Sequence, residues 1–332
     1  MKRLVLIDGH AILHRAYHAF PSTLKTRRGE LVNAVYGFSR MLLTVLEDLK
    51  PAFLAVAFDL PQPTFRHQEY VGYQIQRPEM DQELTTQIER VYQILKALNI
   101  PIFTAPGFEA DDIIGTLARQ ATMGPVAGSS HPTASSDIRR RPGARRNSLR
   151  PRHPSIEIII VTGDKDIMQL VNQNVKVYAP GRGFAEPEIF DEKKVKVFLG
   201  ITPKQIIDYK ALIGDASDNY PGVSGIGPKT AVQLLNQYGD LATIYKNLKR
   251  IKPLLAQKLK EGRENAYLSQ KLATIVTKVP IKLNLKACLV HDYDHQKAIK
   301  LFGELEFKSL INKLPGLEKK KEKVGKEQMS LL

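Results

Sequence analysis

The chain holds one cysteine, no long apolar run, and fewer acids than bases. The lone Cys288 excludes an intramolecular disulfide framework and a cysteine-based zinc site. No apolar run approaches the ~20 residues that a membrane span requires. The N-terminus lacks the charged, apolar and small-residue order of an export signal. Met1-Lys2-Arg3 leads straight into Leu4-Val5-Leu6-Ile7, too short for export and suited to a first strand. A cytoplasmic protein, with no membrane partner, is the expectation. Acids number 34 against 49 bases, a net charge of +15, with a pI near 9.7. Such a balance suits a polyanionic partner, nucleic acid before an anionic membrane surface. The plainer alternative is a well-solvated, lysine-rich surface. At 332 residues and 43% apolar content the chain can bury a core and hold two domains.

The scarce acids are gathered. Five clusters recur: Asp8; Asp59; Glu109-Ala110-Asp111-Asp112; Asp164-Lys165-Asp166; and Asp215-Ala216-Ser217-Asp218. Each follows a strand-like segment or opens a helix. Residues 3–7, 53–58 and 156–162 are short apolar or β-branched runs that read as buried parallel strands, and 100–103 and 175–178 are weaker candidates. Helical periodicity covers 33–49, 81–98, 110–121 and 204–213. The alternation predicts an α/β fold with a doubly wound, mostly parallel sheet. Ligands of such sheets bind beyond the carboxyl ends of strands, where Asp8, Asp59 and Asp164 fall.

One acidic helix start alone reads as complementing the helix dipole. Five clusters at equivalent places do not. Brought together unneutralised, they would repel one another and titrate upward. Mg²⁺ or Mn²⁺ relieves this, because hard cations take carboxylate oxygens and water. No histidine recurs beside the clusters. Two such ions about 4 Å apart activate water and stabilise the leaving oxygen of a phosphodiester. The basic chain and the carboxylate site together point to metal-dependent hydrolysis of nucleic acid.

A second element is Gly222-Val223-Ser224-Gly225-Ile226-Gly227-Pro228-Lys229-Thr230-Ala231. Gly225 and Gly227 allow a tight turn and close approach to a phosphate. Pro228 suits a first helical turn, whose N–H groups then face an anion, with Lys229 adding charge. A helix-hairpin-helix clamp on the DNA backbone fits; a plain glycine turn is the alternative. Residues 60–80 form a long polar excursion between strand and helix. Residues 124–155 are rich in Gly, Pro, Ser and Arg and read as a disordered basic insertion, either phosphate-attracting or inert.

With these residues assembled, the chain resembles the bacterial 5′ nuclease family. That family comprises the 5′→3′ exonuclease domain of DNA polymerase I and free-standing relatives akin to flap endonucleases. The resemblance covers about 3–317 apart from the insertion. It rests on Leu6-Ile7-Asp8-Gly9-His10, Ala57-Phe58-Asp59 with Phe65-Arg66-His67, and Gly107-Phe108-Glu109-Ala110-Asp111-Asp112. Thr162-Gly163-Asp164-Lys165-Asp166, Gly214-Asp215-Ala216-Ser217-Asp218-Asn219, and Gly225-Ile226-Gly227 with Lys229-Thr230-Ala231 complete the order. It implies a PIN-like nuclease core over 1–190, a helical DNA-binding domain over 191–317, and a flexible tail over 318–332.

The resemblance also implies two metal groups. Asp8, Asp59, Glu109 and Asp111 would hold the first; Asp164, Asp166 and Asp218 the second, with Asp112 and Asp215 in support. A K⁺ held by carbonyls of the 222–227 turn is typical of the family. The 60–80 excursion becomes a helical arch passing the 5′ strand. Arg66 and Arg77 would grip its phosphates, beside Tyr73; Arg15, Tyr17 and Phe20 would line the substrate path. The implied activity is cutting of DNA at 5′ flaps, nicks or ends during primer removal and repair, near the nucleoid. Relatives carry lysine directly after the arch tyrosine, whereas here Gln74 follows Tyr73. That departure keeps open a DNA-structure-binding protein with impaired catalysis. An RNase with a related core leaves the 222–231 clamp unexplained. A chain ending near 332 has no room for a polymerase domain and so reads as free-standing. Its Gln328-Met329-Ser330-Leu331-Leu332 end resembles a sliding-clamp-binding peptide, against an inert tail.

Overall fold

A computed structural model describes residues 2–123, 156–181 and 186–316. The basic insertion and the C-terminal peptide lie outside the described residues.

In chain order, β1 (Arg3–Asp8) runs into α1 (Gly9–Ala19), then α2 (Asn33–Leu49), β2 (Phe53–Ala57), α3 (Phe65–Glu69) and α4 (Gln82–Ala97). Next come β3 (Ile102–Phe103), α5 (Ala110–Met123), β4 (Glu157–Val161), β5 (Val175–Ala179) and β6 (Glu188–Phe190). Helices follow: α6 (Glu192–Leu199), α7 (Ile206–Ile213), α8 (Pro228–Tyr238), α9 (Leu241–Lys246), α10 (Pro253–Glu261), α11 (Arg263–Ala273), α12 (His295–Glu304) and α13 (Lys308–Ile311). No helix is long and apolar enough to cross a membrane.

The described chain forms two compact units. The first draws on Met1–Ile12, Pro51–Glu79 and Ile102–Cys288; the second on Leu13–Lys50, Met80–Pro101 and Leu289–Leu332. Position 190/191 falls inside the first unit.

The first unit holds one sheet in the order β3-β2-β1-β4-β5-β6. All pairs are parallel except β5 with β6. The expected apolar runs become β1, β2 and β4, and the weaker candidates become β3 and β5. Only β6 was missed, because Glu-Ile-Phe carries too little pattern to register. Four buried apolar residues in a row, Leu4 to Ile7, suit a central strand covered on both faces. Register then does the positioning: Asp8 pairs with Ala57, and Ile7 with both Val56 and Val161. Asp59 and Asp164 therefore follow their strands at the same edge as Asp8.

α5 packs against β1, β2 and β4 through Ile113, Ile114, Leu117 and Ala118. One apolar core continues from Leu4 and Ile160 into Val195, Leu212, Leu235 and Leu259 of the later helices.

In the second unit, α2 buries Val35, Phe38, Leu42, Val45, Leu46 and Leu49 at helical spacing. It stops at Lys50, left-handed at φ 43°, before Pro51.

Candidate metal centre

The strand ends and α5 bring the predicted acids of the first unit together. Asp8 is buried, with Oδ1 accepting from Ala11 N–H at 3.0 Å and Oδ2 from Thr162 Oγ1 at 2.8 Å. Asp59 Oδ1 accepts from Ala110 N–H at 2.7 Å, which fastens β2 to the start of α5. Glu109 accepts from Thr64 Oγ1 at 3.0 Å and from the Tyr73 hydroxyl at 3.2 Å. Asp164 is exposed and accepts from Asp166 N–H at 2.8 Å.

The acids also act on one another through their charge. Burial pushes Asp8 up to about 6, and Asp59 and Asp164 add to the rise. Burial pushes Glu109 up to about 7, against the pull of Arg66. Asp111 is raised well above its ordinary range by burial, then by Asp164, Asp8, Asp59 and Glu109.

The second group is built differently from the expectation. Carboxylate oxygens of Asp166, Asp215 and Asp218 lie within 4.8 Å of one another, the one such trio among the described residues. Asp215 stands inside this trio, and Asp164 lies outside it. A lysine that sequence reasoning missed occupies this group. Lys210 Nζ is 2.7 Å from Asp166 Oδ1 and also bonds Asp215 Oδ2. Its one signal was a lone cation in the apolar run Ile-Ile-Asp-Tyr-Lys-Ala-Leu-Ile of α7.

Two assignments are corrected. Arg66 is 3% exposed and does not reach solvent to hold a phosphate. Its guanidinium pairs with both oxygens of Asp112 at 2.8 and 2.9 Å and donates to the Leu272 and Thr274 carbonyls. Asp112, 0% exposed, also accepts from the Glu109 and Val276 N–H groups. With every lone-pair direction engaged, it has none left for a metal or its water. The 60–80 segment is helical only at Phe65–Glu69, since Pro61, Pro63, Gly72 and Pro78 interrupt longer helix.

Tyr73 is 4% exposed, and its hydroxyl faces Glu109 and Asp218 rather than solvent. Gln74, left-handed at φ 54°, donates from Nε2 to Asp218 Oδ1 at 2.9 Å and to the Tyr73 hydroxyl at 3.3 Å. Arg77 is exposed; its charge adds to the pull of His10 that lowers Asp59 and opposes the rise that burial gives Asp218. In the second unit Tyr17 donates to Asp81 Oδ2 at 2.7 Å, Phe20 packs on Tyr36, and Arg15 is half-buried.

The glycine turn follows. Val223 and Ile226 are buried and hold it down, while Gly225, Gly227 and Lys229 are exposed and Thr230 is half-exposed. Gly227 leads into Pro228 without a side-chain cap, so the first N–H groups of α8 stay available. Lys258 Nζ lies 3.4 Å from the Gly225 carbonyl.

Oxygen-only donors, several raised by burial and then by one another's charge, suit a hard divalent cation. A pH effect follows. Asp8, Glu109 and Asp166 titrate upward in the fold, to about 6, 7 and 6. Their ionisation opposes folding, so their stability is full below pH ~4 and is lost as pH rises through 6–7. Asp59 and Asp215 are lowered, and their opposite effect falls below that window. The metal-free protein should melt lower at pH 8 than at pH 5, and added Mg²⁺ should lift mainly the pH 8 value. A melting temperature that rises with pH in chelator would contradict this.

Comparison with known proteins adds the family. The profile "5′-3′ exonuclease, N-terminal resolvase-like domain" matches residues 3–130, and "5′-3′ exonuclease, C-terminal SAM fold" matches 201–296. DNA polymerase I of Chloroflexus aurantiacus is 41% identical over 321 residues, covering 95% of this chain and 31% of its own length. DNA polymerase I of Bacillus subtilis is 34% identical over 314 residues, covering 94% and 32%. The chain spans about a third of the length of these relatives. A mutant bacteriophage T5 5′-exonuclease superposes with a TM-score of 0.58 at 17% identity, over 83% of this chain and 89% of that one. The catalytic core of Rad2, solved with DNA substrate, gives 0.57 at 16%, over 92% and 87%. At these identities the two structures speak for the fold alone. Carboxylates gathered at the strand ends, a glycine turn opening α8 and profiles matched at both ends agree: the chain belongs to the 5′-3′ exonuclease family.

Proposed function

We propose that this protein is a structure-specific 5′→3′ exonuclease and flap endonuclease that hydrolyses DNA phosphodiesters with two Mg²⁺ or Mn²⁺ ions. The observation that carries the reading is the convergence of carboxylates within a chain of net charge +15. Asp8, Asp59, Glu109 and Asp111 would hold one ion; Asp166, Asp215 and Asp218 the other, with Asp164 between the groups. Bound there, the ions would supply a nucleophilic water and stabilise the leaving oxygen. Arg77, exposed and felt by both groups, would hold the phosphate. Helices α7 and α8 with their turn would grip duplex backbone through Gly225, Gly227, Lys229 and Thr230. A K⁺ at that turn would share the Gly225 carbonyl with Lys258. Primer removal and repair near the nucleoid would be its setting, as DNA polymerase I relatives suggest.

A labelled 5′-flap duplex tests the reading. Cleavage is expected with Mg²⁺ and not with chelator, and Asp164→Ala should bind without cutting. Wild-type binding without cutting in either Mg²⁺ or Mn²⁺ would instead favour the catalytically impaired binding protein.

Gln74 sets the rate in this account. Its amide engages Asp218 at the position where the family resemblance implies a lysine, whose ammonium would steady the scissile phosphate. Gln74→Lys should raise the single-turnover rate; no gain would remove Gln74 as the cause of slow cleavage. The C-terminal peptide would tether the enzyme to a sliding clamp. Deleting 328–332 should abolish clamp pull-down, and unchanged retention would sink that idea.

A further inference from the structure

Helix α1 carries metal-ligating groups of another chemistry, nitrogen rather than oxygen. It buries Ile12, Leu13 and Ala16 on one side, which turns His14 and His18 outward, both exposed. Residues at i and i+4 of a helix lie on one face, one turn above the other. The two imidazole rings meet there, with centroids 4.6 Å apart and planes at 63°. A pair that merely stacks in solvent is the plainer reading, and phenyl rings would serve it as well.

The neighbouring side chains steady the pair. Tyr17 sets its ring edge-on against His18, with centroids 5.3 Å apart. The Tyr17 hydroxyl donates to Asp81 Oδ2 at 2.7 Å and lies 3.4 Å from Glu83 Oε2. Asp81 Oδ1 accepts from Glu83 N–H at 2.9 Å and so caps α4. These two acids do not close on the imidazoles. Asp166, Asp215 and Asp218 remain the one set of three donors within 4.8 Å of one another among the described residues. The geometry is therefore that of a two-nitrogen chelate, with its other positions left to water.

We infer that His14 and His18 chelate a divalent transition metal of the imidazole-preferring class, Zn²⁺, Ni²⁺ or Cu²⁺. Histidines at i and i+4 on one helix face present two nitrogens to a single ion. Imidazole suits these metals as carboxylate and water suit Mg²⁺ and Mn²⁺, so the pair and the acids select different ions. The inference does not rest on the two-ion reading of the acids, because its ligands and its metal are both different. Among first-row divalent ions Cu²⁺ binds such donors tightest, which makes it the probe.

The test is Cu²⁺ titration in excess Mg²⁺, followed by calorimetry and electron paramagnetic resonance. It compares wild type, His14→Phe, His18→Phe and Asp111→Asn. Wild type should bind one Cu²⁺ whose spectrum shows splitting from two nitrogens. Each Phe variant keeps a ring for the aromatic contacts. Each should lose the two-nitrogen pattern and weaken that ion at least about tenfold, the effect of removing even a partner outside the ligand shell. Asp111→Asn should keep the pattern. Both histidines are exposed, so both Phe variants should melt as wild type does in chelator. A two-nitrogen pattern that survives in either Phe variant would place the ion on other histidines and overturn the inference. Wild-type copper held by oxygen alone, or no bound copper, would do the same. Loss of the pattern in Asp111→Asn would assign the ion to the carboxylates instead. Loss of the pattern with a lower melting temperature in the Phe variants would mark a structural pair and also overturn it.

Discussion

Asp111→Asn is expected to lower single-turnover flap cleavage by about 10²–10³-fold and to raise the melting temperature of the metal-free protein. The two effects have one origin. Asp111 is raised by burial and by four neighbouring carboxylates. Ionised without metal, it adds repulsion among these carboxylates. An amide of the same shape removes that repulsion, so the fold gains. On the proposed metal reading it would also remove an anionic ligand, and with it the cation and the charge that cation would stabilise in the transition state. Quench-flow kinetics with excess enzyme and scanning calorimetry in chelator read the two halves separately. Loss of cleavage with loss of metal-free stability would mean that Asp111 supports structure rather than chemistry.

Arg66→Met is expected to destabilise the protein by about 3–5 kcal/mol, the largest stability effect of any single change considered. The guanidinium is bidentate to a carboxylate that has no exposure. It also serves two carbonyls, so one side chain ties α3, α5, the last turn of α11 and the residue after it together. Removing it strands Asp112 as an uncompensated buried charge, and Glu109, 3.3 Å from the same group, loses its cation. Urea denaturation measures the loss. Arg66→Met with Asp112→Leu should recover most of it, because the cost lies in the stranded partner. A double variant no better than the single one would locate the effect in the carbonyl contacts instead.

These two residues also show how much was legible beforehand. Asp8, Asp59 and Asp164 were readable because strand ends follow from local apolar runs, and parallel register brings such ends to one edge. α5 was readable from Ile113, Ile114 and Leu117 at helical spacing. What local pattern could not carry was pairing across long separations. Arg66 sits in a polar stretch and reads as a solvent cation, yet its partners lie 46, 206 and 208 residues away. Lys210 reads as an ordinary helix lysine until α7 is set beside Asp166. The exchange of Asp164 for Asp215 in the second group has the same cause. The Asp215–Tyr220 bridge, not strand position, aims Asp215.

On the proposed reading these carboxylates form a two-ion centre. Crystals grown with Mn²⁺ and measured for anomalous scattering address it directly. Two peaks are predicted, one among Asp8, Asp59, Glu109 and Asp111 and one among Asp166, Asp215 and Asp218, with Lys210 Nζ moved off the second trio. No peak at either place, with Lys210 still bonded to Asp166 and Asp215, would contradict the account.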